Sequence, residues 1–179
     1  VRIISGSLKS IVLRPPSGLP VRPTTDRAKE SLFNILENQF DISALSVLDI
    51  FSGTGNISYE FCSRGAKQVI AVDIHSGCIQ YIKEVKQKHL LNQLSVCRKD
   101  AFTYLNQCEQ NQFDIIFADA PYALHRILDI PSIVLNKQLL KSNGLLIIEH
   151  DTNLEMQLQI GFFDKRTYGQ SAFSFFRFS

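Results

Sequence analysis

No Cys-x-x-Cys pair occurs in this chain, and none of its four cysteines, Cys62, Cys78, Cys97 and Cys108, has a histidine at zinc-ligand spacing. A zinc knuckle and a disulfide-stapled fold are both excluded, and reduced thiols lying within helices and strands are expected instead. The histidines His75, His89, His125 and His150 are scattered, so no role is assigned to them and no metal is expected. Apolar runs of bilayer-spanning length are missing, as is the basic, apolar and small-residue succession of a signal peptide. A soluble cytoplasmic protein without a membrane partner is the expectation. Internal repeats and low-complexity tracts are absent. At 179 residues there is too little chain for a second full domain, while 45% apolar residues are enough to fill one core.

Charge is also in small excess, only +2 over the whole chain, but it is unevenly placed. Residues 1–30 carry six bases (Arg2, Lys9, Arg14, Arg22, Arg27, Lys29) against two acids (Asp26, Glu30), a local +4 that leaves the remainder at −2. A basic end suits contact with phosphates, although a solvated basic surface would look the same.

Along the chain, residues 1–14 alternate around Gly6 and Ser7, which predicts a short β-hairpin. Pro15, Pro16, Gly18, Pro20 and Pro23 make a linker, and Thr24, Thr25 and Asp26 open a helix with Ala28, Leu32, Ile35 and Leu36 on one face. Strand, turn and helix then alternate: strands at 47–51, 69–73, 96–100, 113–119 and 145–150, with a helical stretch interrupted by Pro131 before the last. These strands are near-continuous apolar runs, as in a parallel sheet covered on both faces. Two final runs, 160–167 and 172–178, read as an antiparallel hairpin closing the sheet. The fold class is α/β and doubly wound, divided into residues 1–45 (hairpin, linker, helix) and 46–179.

Ligands of such sheets bind at the carboxyl ends of the strands. The first strand runs into Asp49-Ile-Phe-Ser-Gly53-Thr-Gly55, where paired glycines allow a tight turn and a close backbone approach. A dinucleotide site would want a third glycine, but Ser58 stands there. An acid four residues before the first glycine resembles the first motif of methyltransferases that bind S-adenosylmethionine, whose ammonium the acid can meet. Asp73 ends the second strand and can accept from both ribose hydroxyls. Asp100 is expected to end the third strand and meet the adenine amine, with Ala101 donating a backbone amide. Each acid alone is as consistent with a helix cap.

The fourth strand runs into Asp119-Ala-Pro-Tyr122, which resembles the Asp/Asn-Pro-Pro-Tyr motif of amino-group methyltransferases. An exocyclic amine is a poor nucleophile because its lone pair is delocalised into the ring. Asp119 and a backbone carbonyl of the turn can accept its hydrogens and localise that lone pair, Pro121 stiffens the turn, and Tyr122 offers a face for a flipped-out base.

The whole chain resembles the RsmD family of 16S ribosomal RNA guanine-N2 methyltransferases. The matching stretches include Arg2-Ile-Ile-Ser-Gly6, Arg22-Pro-Thr-Thr-Asp-Arg27, Leu48–Gly55, Glu60, Ser63–Ala66, Gly144–Glu149 and Tyr168-Gly169. The resemblance implies a class I S-adenosylmethionine-dependent methyltransferase (Rossmann-like) fold with a seven-stranded sheet. It also implies S-adenosylmethionine as cofactor and 16S rRNA in the small ribosomal subunit as partner, for a protein acting as a monomer. The implied catalytic residues are Asp119, Pro121 and Tyr122. Asp49, Phe51, Gly53, Gly55, Asp73, Ile74, Asp100 and Ala101 would hold the cofactor, and Arg2, Lys9, Arg22, Thr24, Thr25 and Arg27 would meet RNA. Two departures stand out: Ala120 replaces a proline of the motif, and the hairpin is less basic than the family pattern. Adenine N6 or a protein glutamine amide remains an alternative target, and a catalytically weakened RNA-binding assembly factor an alternative role.

Overall fold

The computed structural model describes residues 1–22 and 24–179; Pro23 of the linker lies outside the described residues. Helix α1 (Asp26–Glu37) is capped by Thr25, whose side chain accepts from the Ala28 amide. There follow β1 (Ser46–Ile50), α2 (Asn56–Ser63), β2 (Gln68–Asp73), α3 (Ser76–Lys88), β3 (Leu94–Arg98) and α4 (Ala101–Gln107). The chain continues through β4 (Phe113–Asp119), α5 (Ile130–Asn136), β5 (Leu140–Asp151), β6 (Phe162–Tyr168) and β7 (Ser171–Phe176).

The seven strands form one sheet in the order β3-β2-β1-β4-β5-β7-β6. The first five are parallel, and β7 inserts antiparallel between β5 and β6, so the final hairpin closes the sheet as expected. The reversal of order between β1 and β4 opens a crevice at their carboxyl ends. Buried apolar side chains pack on both faces: Val47, Ile115 and Ile147 with α1 and α2 on one, Leu48, Ile116 and Leu146 with α4 and α5 on the other. Two buried faces explain why the central strands read as continuous apolar runs. No helix among the described residues is long and apolar enough to cross a membrane.

The expected N-terminal hairpin is present and short: Arg2 bridges Val12 antiparallel, and the Ile3 and Leu13 amides donate to the Ile11 and Val1 carbonyls at 3.0 and 2.7 Å. Its loop is held from outside: both Glu60 oxygens accept backbone amides, from Ile4 at 2.9 Å and Ser5 at 3.0 Å. Gly6 lies so close to α2 that an added Cβ would sit 1.9 Å from the Ser63 carbonyl oxygen. Pro131 does not interrupt a helix but stands in the first turn of α5, where its missing N–H costs nothing. Strand β3 ends at Arg98, two residues before Asp100, and β5 begins at Leu140 rather than Leu145. Lys29 is not part of a basic surface: it is fully buried, 3.3 Å from Glu60 and hydrogen-bonded to Asn56. Desolvation lowers its pKa and the Glu60 charge opposes that shift. All four cysteines are free, and burial pushes the Cys62 thiol up to about 12.

Candidate active site

A cleft of about 620 Å³ lies at the carboxyl edge of β1, β2 and β4 and is roofed by the linker segment Leu19–Arg22. Its β1 side is built by the Phe51–Gly55 loop. Phe51 is held at φ 57°, Gly53 at φ 54° and Gly55 at φ 87°, all in the left-handed region. At Gly55 a Cβ would come within 2.7 Å of the Tyr59 ring, so the loop is tight behind as well as in front.

Asp49 lies beneath this loop, 2% exposed, with the Ser58 hydroxyl donating to it at 2.5 Å. Serine at the third glycine position of the loop thus supplies a donor to the buried acid. Desolvation still wins over that hydrogen bond, and the Asp49 carboxyl is pushed up to about 7. A cation entering the cleft would relieve this cost. Asp73 at the end of β2 is already committed to the loop, accepting from the Gly53 and His75 amides, both at 2.8 Å. Each oxygen keeps a lone pair for a further donor. The Ser52 hydroxyl is buried in the cleft wall without a partner among the described residues. An unpartnered hydroxyl, a desolvated acid and a backbone cradle fit a ligand with an ammonium and a sugar, as S-adenosylmethionine has.

The expected cofactor residues divide. Asp49, Phe51, Gly53, Asp73 and Ile74 line the cleft, and Gly55 supports the loop from behind. Asp100 and Ala101 do not line it, because the Asp100 carboxylate turns to cap α4 by accepting from the Thr103 amide at 2.9 Å. His75, given no role from sequence, is part of the wall.

The other side of the cleft is formed by Asp119, Ala120, Pro121 and Tyr122. Asp119 pairs in register with Glu149 on β5, so two acids stand side by side on adjacent strands. Glu149 is 2% exposed and accepts from the Thr24 hydroxyl at 2.5 Å. Desolvation raises the Asp119 pKa well above the usual carboxylate range, the Glu149 charge adds to this, and the Arg22 charge opposes it. Glu149 is raised by desolvation too, against the Thr24 hydrogen bond and Arg22. The Arg22 guanidinium stacks over the Tyr122 ring at 3.9 Å and donates to the Tyr122 hydroxyl.

Arg22 and Thr24 are therefore the only two of the expected RNA-contacting residues that line the cleft. Arg2 pairs with Asp26 at 2.9 Å, Thr25 caps α1, and Lys9 and Arg27 are exposed. Sequence reading missed Glu149 as a site residue; it stands two residues before the end of β5, and only the register with Asp119 on β4 singles it out.

Comparison with known proteins agrees with this geometry. The model of the family described as "Conserved hypothetical protein 95" matches residues 1–177. The chain is 33% identical over 183 residues to the Bacillus subtilis protein named "Putative rRNA methyltransferase YlbH", covering 99% of this chain and 98% of that one. It is also 33% identical over 153 residues to the Haemophilus influenzae "Ribosomal RNA small subunit methyltransferase D", covering 83% and 78% of the two chains. Among solved structures, "Putative methyltransferase yhhF from Escherichia coli" superposes with a TM-score of 0.85 at 24% identity, over 98% of this chain and 96% of that one. The sheet order and the covering helices are those of class I methyltransferases, and the chain belongs to the RsmD-like family described as "Conserved hypothetical protein 95".

Proposed function

We propose that this chain methylates the exocyclic N2 of a guanine in small-subunit 16S ribosomal RNA. The observation that carries the reading is the Asp119–Tyr122 turn, with its acid and its aromatic ring opening onto the same cleft as Asp49 and Asp73. S-adenosylmethionine, when bound, supplies a methyl group on a sulfonium. Asp49 would face its ammonium, Asp73 its ribose hydroxyls, and Phe51, Gly53, Gly55 and Ile74 would shape its seat.

Tyr122 is 43% exposed, so its ring is reachable by a base swung out of the RNA. Asp119 accepts from the N2 amine, which localises the nitrogen lone pair toward the incoming methyl, and it takes the proton that N2 loses as the new N–C bond forms. Pro121 fixes the turn that sets their separation. Ala120 is 2% exposed and packed, so the turn is held by burial where a second proline is missing. The N-terminal segment would contact RNA through Arg22, Arg27 and Lys9. Methyl mapping of 16S rRNA from cells with and without the protein, followed by methylation of purified small subunits in vitro, tests the reading. A guanine N2 methyl that depends on the protein is expected; methylation confined to adenine or to protein glutamine overturns it.

A further inference from the structure

Glu149 and Arg22 have no part in the chemistry so far. Glu149 is buried beside Asp119 in the β4–β5 register, and one of its oxygens is held by Thr24. Arg22 reaches back from the linker, lays its guanidinium on Tyr122, and places its positive charge near the two acids. Chemically, a guanidinium is a flat carbon carrying nitrogens with hydrogens. The N1–C2–N2 edge of guanine is the same fragment, with donors on N1 and N2.

We infer that Arg22 occupies the seat of the target base, and that Glu149 is the specificity-determining residue that accepts from guanine N1–H while Asp119 accepts from N2. The inference deepens the guanine reading above and rests on it. Two adjacent acids offer carboxyl oxygens as acceptors to an edge with two adjacent donors, and those donors favour the charged forms against the desolvation that raises both acids. Adenine places an acceptor, N1, next to its amine, and one acid would face it lone pair to lone pair. Leaving that pair unmatched in a buried site costs affinity. Glu149 does not itself line the cleft of the free protein, but Thr24, which does, holds one of its oxygens from that side. Arg22 leaves when guanine enters and becomes available to a phosphate of the same RNA.

The groups facing the acid pair are Arg22 and Thr24 from the linker, Asp49 from β1 and Ser171 from β7.

The test is inhibition of small-subunit methylation by free nucleosides in the presence of S-adenosylmethionine. Guanosine carries both donors, 2-aminopurine riboside lacks the N1 hydrogen, and inosine lacks the N2 amine. Arg22→Ala should make guanosine a better inhibitor by about tenfold, with less gain for the other two. Arg22→Lys keeps the charge but not the flat stack, and should show a similar gain. Glu149→Gln can donate as well as accept, so it should narrow the preference of guanosine over 2-aminopurine riboside about tenfold. Thr24→Ala, which leaves both acids in place, should narrow it less. An unchanged guanosine effect in both Arg22 variants overturns the seat. An unchanged preference in Glu149→Gln and Thr24→Ala overturns the role of Glu149. Either result can arise while guanine N2 is still the mapped product, so failure here is separable from failure of the proposed function.

Discussion

Asp73 and Asp119 both end strands at the same edge of the sheet, yet they meet the cleft in opposite conditions. Asp73 has each oxygen satisfied by a backbone amide of the loops it organises. Asp119 has a second buried acid beside it, and the nearest cation reaches it only through the linker. The cofactor side is thus preorganised by local chain, whereas on the acceptor side burial and a neighbouring acid make ionisation costly until a ligand with donors arrives. Strain of this kind belongs where affinity must develop during reaction.

The largest effect expected from breaking this contrast is at Asp119. Asp119→Ala removes the acceptor as positive charge develops on N2, so turnover on small subunits should fall by roughly 10³-fold or more. RNA binding, dominated by phosphate contacts, should barely change. Tyr122→Phe should keep most of the activity and Tyr122→Ala lose much of it, since stacking in other base-binding sites is worth roughly 1–3 kcal/mol. Single-turnover methylation with separate binding measurements distinguishes the two; an Asp119→Ala protein with wild-type turnover removes the mechanism.

The next effect concerns pH on the cofactor side. With the Asp49 carboxyl raised to about 7, a cationic methyl donor must find it ionised. Donor affinity should therefore weaken by roughly 50-fold from pH 7 to pH 5, measured by calorimetry. The same shift has the opposite sign for stability. The unfolded carboxyl ionises near the usual aspartate value and the folded one only near 7, so ionisation favours unfolding as pH rises through that interval. Asp49→Asn should raise the melting temperature at pH 8 while abolishing the pH dependence of donor affinity. A variant that melts below wild type at pH 8 contradicts the desolvation account.

A smaller loss is expected at Asp73. Asp73→Ala releases the amides of Gly53 and His75, and hydrogen bonds to a charged group contribute about 1.5–3 kcal/mol each. Part of that is recovered by water, so donor affinity should drop roughly tenfold while guanosine inhibition keeps its preference. Loss of both would mean that the two sides of the cleft are not separable.

How much of this was legible in the chain follows the same division. The glycine loop, Asp49, Asp73 and the Asp119–Tyr122 turn are contiguous stretches whose geometry is set within a few residues, and their strand ends could be read from apolar runs. Arg22 with Tyr122 and Thr24 with Glu149 are separated by 100 and 125 residues, so their meeting depends on the whole sheet. Asp100 was misplaced because a strand-end acid and a helix N-cap look alike when β3 stops two residues early. Lys29 did carry a signal: it stands at helical spacing with the buried Leu32, Phe33 and Leu36. Its charge hid that pattern, since a buried lysine requires the partner Glu60, which only the fold supplies.

The smallest expected effect sharpens the comparison at the rim proposed to meet RNA, where Arg22 and Arg27 flank the start of α1. Neutralising two phosphate contacts should reduce the slope of log affinity against log salt by about 1.4 to 1.8, with only a modest loss of affinity at high salt. Arg22 is stacked in the free protein and must first leave Tyr122, so part of its phosphate energy is spent on that exchange. Arg27 is exposed and has no such cost. Arg27→Ala should therefore weaken RNA binding more than Arg22→Ala at low salt, although both should lower the slope equally. For free guanosine the order reverses: Arg22→Ala strengthens inhibition and Arg27→Ala leaves it unchanged. Salt titrations of the two single variants and the double variant, on the same RNA, decide the matter. If Arg22→Ala weakens RNA binding as much as Arg27→Ala at every salt concentration, Arg22 does not exchange between the tyrosine and a phosphate, and the linker is a passive wall of the cleft.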